Sequence, residues 1–235
     1  MRRAAAFGGS AALGAAAAWA LPALAPVVPP VAAALCVDRD RRGAPGIALT
    51  FDDGPHPQGT PAVLEALADE RVHATFFLVG EQVAAHRALA AEIAAAGHTI
   101  AVHGHRHRVL LRVPPRAVAD DLDRAANVIG EATGCTLRLH RPPLGIYSHP
   151  ALAQVRRRGW RPQLWSRWGR DWAGWATPRT ITWLVTRDLQ AGDVLLLHDS
   201  DAYSAVGSWR ATAAAVPRIV EVARRRGLQV APVRY

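Results

Sequence analysis

The largely apolar run Ile47–Phe51 ends on two adjacent carboxylates, Asp52 and Asp53. Like charges that close repel, and a cleft at the end of a buried strand would desolvate both, so a cation must lie nearby. The stretch AVHGHRHRVL supplies His103, His105 and His107. Two His four apart share one face of a turn and reach a single ion as neutral imidazoles, whereas in an extended segment His105 would join them. A carboxylate with two His is a three-ligand set with open positions, the arrangement of catalytic rather than structural metal sites. One Asp would bind the ion while its neighbour contacts the ion's water. One divalent ion is thus expected; zinc is the first choice, and cobalt, nickel or manganese accept the same donors. An iron(II) oxygenase would use a similar triad, but the second Asp and the barrel pattern below weigh against it.

Such a set needs a scaffold that brings distant residues to one rim. After Arg42-Gly43, short apolar runs alternate with amphipathic stretches, which reads as an α/β domain. Strands are expected at Ile47–Phe51, Ala74–Val79, Thr99–Val102, Leu137–Leu139, Gln163–Trp165, Val194–Leu197 and Leu228–Val233. Helices are expected from Thr60 (as N-cap, with Pro61 at N1) to about Asp69, from about Glu81 to Ala96, from Pro115 onward, and at Ala151–Arg158, Pro178–Leu189 and Thr212–Arg226. About seven strand–helix units predict a distorted parallel (β/α) barrel, in which working residues stand at the C-terminal ends of strands. Asp52, His103, Arg141 and His198 fall there, and Asp171 follows shortly after its strand.

These motifs resemble those of the NodB-type polysaccharide deacetylases, carbohydrate esterase family four, from about Gly46 to the C-terminus. TFDDGP (Thr50–Pro55) resembles the first family motif, HGHRH (His103–His107) the second, RPPLG (Arg141–Gly145) the third, RDW (Arg170–Trp172) the fourth and LLLHD (Leu195–Asp199) the last. The resemblance implies Asp52 as general base, Asp53, His103 and His107 as metal ligands, Arg141 as partner of the base, and His198 as general acid oriented by Asp171. It also implies a groove formed by Pro143, Leu144 and Gly145, with the Leu144 N–H as oxyanion donor. Trp172 is the candidate wall against an apolar sugar face; Trp160 and Trp165 are expected to be buried. Gly104, Leu144 and Trp168 depart from the residues usual in the family, which leaves the proposed ligands and proton-transfer groups intact and alters the groove. The implied activity is removal of N-acetyl groups from an amino-sugar polysaccharide, peptidoglycan or chitin-like. The alternatives are a glycan-binding barrel without turnover and an amidohydrolase of another amide.

The 235 residues carry 28 basic and 19 acidic side chains, a formal charge of +9, and no Lys. The Arg residues are dispersed, and the runs Arg156–Arg158 and Arg224–Arg226 read as basic last turns of helices, so no nucleic-acid partner is expected. Cys36 and Cys135 are expected to be free thiols, and His56, His73, His86, His98, His140 and His149 surface or satisfied histidines. Arg2-Arg3 followed by the uncharged stretch 4–37 predicts a signal anchor over Ala4 to about Leu24 and a Pro-rich exit segment, with the catalytic domain outside the membrane. The alternative is a hairpin of Ala4–Ala20 and Leu21–Val37. Residues 1–42 are then membrane segment and linker and 43–235 the catalytic domain, membrane-anchored or secreted and acting as a monomer.

Overall fold

The computed structural model describes residues 14–233. Strand β1, Gly46–Asp52, is buried at every position. Its sequence lacks a polar alternation, as a strand covered on both faces requires. It pairs in parallel with β2 (Thr75–Leu78) and with β7 (Val194–His198). The sheet continues from β2 through β3 (Thr99–Val102) and β4 (Leu139–His140) to β5 (Arg161–Pro162), and beyond β7 to β6 (Arg167–Trp168). The short β8, Gln229–Val230, pairs with the start of β1. Every ladder is parallel, and the result is a curled, incomplete barrel whose edges β5 and β6 are not paired with each other. Register sets Asp52 opposite Phe77 on one side and His198 on the other, which aligns the functional strand ends at one rim.

Besides a helical stretch at residues 14–20, the α-helices with both ends among the described residues are α1 (Pro29–Ala34), α2 (Gly59–Asp69), α3 (Gly80–Ala85), α4 (Arg87–Ala95), α5 (Pro115–Thr133), α6 (His149–Arg157), α7 (Pro178–Thr186) and α8 (Trp209–Arg225). The single helix expected over Glu81–Ala96 is two, because His86 leaves helical geometry at φ −134° and ψ 51°. Gln58, not Thr60, is the N-cap of α2. The Thr60 hydroxyl still accepts the His56 N–H at 2.7 Å. Gln163–Trp165 is not a strand: Gln163 makes one isolated parallel bridge, to Asp38. Its carbonyl and that of Leu164 turn to a buried side chain described below.

No helix among the described residues is long and apolar enough to cross a membrane. Residues 4–13 of the expected anchor lie outside the described residues. The second span of the hairpin alternative, Leu21–Val37, is a 3-10 turn at Leu21–Leu24 followed by α1. What was expected to be a linker is seated on the barrel, with Ala25, Ala32 and Val37 buried in its core. Small uncharged side chains permit this close packing, and the prolines at 22, 26, 29 and 30 break the run into short pieces.

Candidate active site

Both carboxylates of the opening pair line one cleft. Consecutive residues of a regular strand would face opposite ways. Asp53 escapes that alternation because β1 ends at Asp52 and the Asp53 backbone enters the left-handed region at φ 79°, a strained conformation of the kind that collects at functional sites. Arg141, fully buried, donates to Asp52 Oδ1 at 2.6 Å and to Thr50 Oγ1 at 2.8 Å. Two more of its N–H groups go to the carbonyls of Gln163 (3.1 Å) and Leu164 (2.8 Å), and its guanidinium lies 3.9 Å from the centroid of the Phe77 ring. Burial lowers its pKa and Asp52 opposes that shift. This is the cation that the carboxylate pair required.

Asp53 Oδ1 lies 3.4 Å from His103 Nε2 and 3.3 Å from His107 Nε2. These three residues are the set found among the described residues whose ligand atoms could converge on one ion. His103 Nδ1 is 2.9 Å from the Arg141 carbonyl, which can only accept, so the proton sits on Nδ1 and Nε2 offers a lone pair. Burial, with His103 adding, pushes His107 down to about 4 against the pull of Asp53. It is thus neutral at pH 7, the form that ligates. Burial alone would raise Asp53, but the imidazoles of His103, His198 and His107 gathered around it outweigh that and hold it below the usual carboxylate range. His105 does not join them: its N–H donates to Asp121 Oδ2 at 2.7 Å, and Gly104, at φ 89°, turns the chain between the two outer His.

His198 ends β7 opposite Asp52. Asp171 accepts its Nδ1–H at 3.0 Å, its backbone N–H at 2.6 Å and the Thr212 hydroxyl at 2.8 Å. Burial opposes the imidazolium, but Asp171 outweighs it, with Asp53 and Asp52 adding, and His198 is raised to about 10. The neighbouring Asp199 is buried and pushed up to about 7 by desolvation, with the Thr60 hydroxyl, its hydrogen-bond donor, pulling the other way. This contact ties the first turn of α2 to the loop after β7. Thr60→Val would leave Asp199 without that donor and is expected to lower stability by about 1–3 kcal/mol. Thr60→Ser should restore it, as urea midpoints of the three proteins will show.

The cleft has a volume of about 190 Å³ and is lined by both Asp, both ligand His and His198, with Leu144, Gly145 and Leu196. Trp165, Trp168 and Trp172 form its apolar wall. Trp172 stands edge-on to His198 at 5.5 Å and to Trp168 at 6.1 Å. Trp160 and Trp165 are buried as expected, and Trp165 nevertheless reaches the cleft. Pro143 does not line it: this residue is buried behind the turn that carries Leu144 at φ 58°. Sequence reading missed Tyr203, whose ring stacks on His107 at 4.2 Å while its hydroxyl donates to Glu81 at 2.7 Å. The available signal was an aromatic residue shortly after the strand bearing His198. His98 and His140 are buried and hydrogen-bonded, to the Ala74 N–H and the Tyr147 hydroxyl. The two cysteines are free. A larger cavity, about 690 Å³ between α1 and the segment 36–44, is lined by none of the candidate metal ligands or proton-transfer groups.

Residues 39–162 match the family model of polysaccharide deacetylase. The chain is 35% identical over 205 residues to a chitooligosaccharide deacetylase of Bradyrhizobium sp. (strain ANU 289), covering 83% of this chain and 91% of the relative. It is 30% identical over 190 residues to a peptidoglycan-N-acetylglucosamine deacetylase of Bacillus cereus, covering 80% and 85%. The crystal structure of a peptidoglycan N-acetylglucosamine deacetylase in complex with 4-naphthalen-1-yl-N-oxidanyl-benzamide superposes with a TM-score of 0.79 at 26% identity, covering 84% and 91%. With more than half of its length matched by that family model and relatives similar over most of theirs, the chain belongs to the polysaccharide deacetylase family and is a hydrolase of carbon–nitrogen bonds, a polysaccharide N-deacetylase.

Proposed function

We propose that the cleft removes N-acetyl groups from an amino-sugar glycan with one divalent ion held by Asp53, His103 and His107. The observation that carries this is the buried Asp53 Oδ1, which has no hydrogen-bond partner and stands within reach of two imidazole Nε2 atoms. A neutral imidazole with a free lone pair beside a buried carboxylate oxygen is a donor set for zinc or a related ion. Such an ion would supply Lewis acidity and a nucleophilic water at neutral pH. Asp52, oriented by Arg141, takes up a proton beside that set as general base. The N–H of Leu144 faces the developing charge on the carbonyl oxygen as oxyanion donor. His198, kept protonated by Asp171, gives its proton to the departing amine. The three Trp offer flat apolar surface to the acetyl methyl and the sugar face.

Peptidoglycan and chitin-like oligomers are the substrates this reading favours, since the relatives named above act on one or the other. A membrane tether ahead of the segment packed on the barrel, with the catalytic domain outside, belongs to the same reading, from Arg2-Arg3 and the uncharged residues that follow them. Acetate release from N-acetylglucosamine oligomers and from peptidoglycan tests the reaction on metal-free and metal-restored full-length chain. Release is expected only with metal present. Undiminished release from protein stripped of metal, verified by elemental analysis, would overturn the ion's role.

A further inference from the structure

We infer that the N-terminal segment from Pro26 to Arg39 is a positioning element of the active site, bracing both the peptides that hold Arg141 and the turn that carries Leu144. The inference rests on the roles proposed above for Asp52, Arg141 and Leu144.

The first arm of the brace is at Asp38. Arg141 is held by the carbonyls of Gln163 and Leu164, which lie in the irregular stretch between the unpaired edges β5 and β6. Gln163 N–H still donates to His140 O of β4 at 2.9 Å, but beyond it the N-terminal segment takes the place of a strand partner. Asp38 N–H donates to Pro162 O at 3.0 Å, and Leu164 N–H donates to Asp38 O at 2.6 Å. The Gln163 amide donates to the same Asp38 carbonyl at 3.2 Å, and Arg39 Nε donates to Trp165 O at 3.3 Å. Four consecutive residues, 162–165, are therefore pinned by two. Arg141 aims its guanidinium at Asp52 only while those carbonyls stay put.

The second arm is at Pro26. Gly145, at φ 74°, is so closely approached that a β-carbon there would lie 2.6 Å from Trp165 Cη2 and 3.0 Å from Pro26 Cγ. The turn bearing Leu144 is thus pressed between a cleft tryptophan and a residue of the N-terminal segment. Between the arms the segment is seated by buried Ala32 and Val37 and by the Arg156 guanidinium, which donates to Leu35 O, and Ala25, just before it, is buried too. At its far end Trp19 Nε1 donates to Leu111 O at 3.1 Å. The ion-pair and ring contacts of Asp53, His103 and His107 involve no residue of this segment. Detachment should therefore disturb the base and the oxyanion donor while sparing the ion.

The test uses the full-length chain. Ala25→Glu forces a charge into the buried position that leads into the segment, and Asp38→Pro removes the N–H donated to Pro162. Ala25→Ser is the conservative rescue, and Val27→Ser, at an exposed position, is the control. Displacement of a reacting geometry by about 1 Å can cost about 100-fold in rate. We expect kcat for acetate release to fall by about 10- to 100-fold in Ala25→Glu and Asp38→Pro, with KM and ion affinity, read by chelator competition, unchanged. Ala25→Ser and Val27→Ser should match the unmodified chain. Pro26→Ala, which trims the ring without charging the core, should lower kcat in the same direction and guards against simple misfolding of the harsher variants. Wild-type kcat in a variant whose segment is shown by proteolysis to be released would overturn the inference. So would a parallel loss of ion affinity in every variant, which marks general loosening. Asp52→Ala, assayed alongside, separates the two readings: if it stays active, the catalytic assignment itself has failed.

Discussion

Asp52→Asn is expected to lower kcat for acetate release by about 10²- to 10⁴-fold, the range for loss of a general base, while ion binding by Asp53, His103 and His107 persists. Asp52 Oδ1 is engaged by Arg141 at 2.6 Å, so Oδ2 is the atom left for proton transfer, and it lies 3.8 Å from the ligand nitrogen of His103. Asparagine keeps an acceptor for Arg141 and abolishes the base. Alanine does more damage, because it strands a fully buried guanidinium. Removing one partner of such a pair typically costs about 3–5 kcal/mol of stability. The Asn variant therefore reads the chemistry and the Ala variant adds a structural penalty. Acetate kinetics, chelator competition and thermal midpoints on both proteins separate the effects. A wild-type kcat in Asp52→Asn would move the base to another residue.

The site residues could be read from the sequence because each ends or follows a parallel strand, buried in most cases and half-buried at β6. A run such as GIALTFDD announces both its burial and the rim where its polar residues emerge. His103 and His107 were legible by type and spacing, but the choice between them and His105 was not. That choice depends on Gly104 at φ 89° and on Asp121, which captures the His105 N–H from α5. Gln163–Trp165 read as a strand because its composition is apolar. Its carbonyls instead serve Arg141, a tertiary demand that no local pattern records. The stretch 21–37 reads equally well as bilayer span or protein core, since an uncharged, proline-broken run of small residues suits either apolar environment. Only the position of Ala25, Ala32 and Val37 against the barrel shows which surroundings those residues have. Tyr203 lies too far along the chain from His107 for spacing to connect them, although their rings stack.

His198→Gln is expected to reduce kcat by about 10²- to 10⁴-fold through loss of the general acid, and Asp171→Asn should reveal how that acid is kept charged. Burial disfavours the imidazolium of His198, and the hydrogen bond and charge of Asp171, with Asp53 and Asp52, more than reverse this to about 10. An ion at Asp53 would oppose the contributions of the two rim carboxylates, leaving Asp171 as the counter-charge. A group raised on folding adds stability that is complete below its unfolded value, near 6.5 for imidazole, and that is lost as pH climbs through the folded value. The stability gap between the unmodified chain and Asp171→Asn should thus be widest near pH 6 and narrow toward pH 10, in urea titrations at both ends. The alkaline limb of the kcat profile should move to lower pH in the same variant, since the acid then surrenders its proton earlier. Asp171 also accepts the His198 backbone N–H and the Thr212 hydroxyl, so a purely structural role would lower kcat evenly across pH. A fall in kcat with an unmoved alkaline limb would therefore assign Asp171 to bracing the loop, and the proton that reaches the amine would need another source.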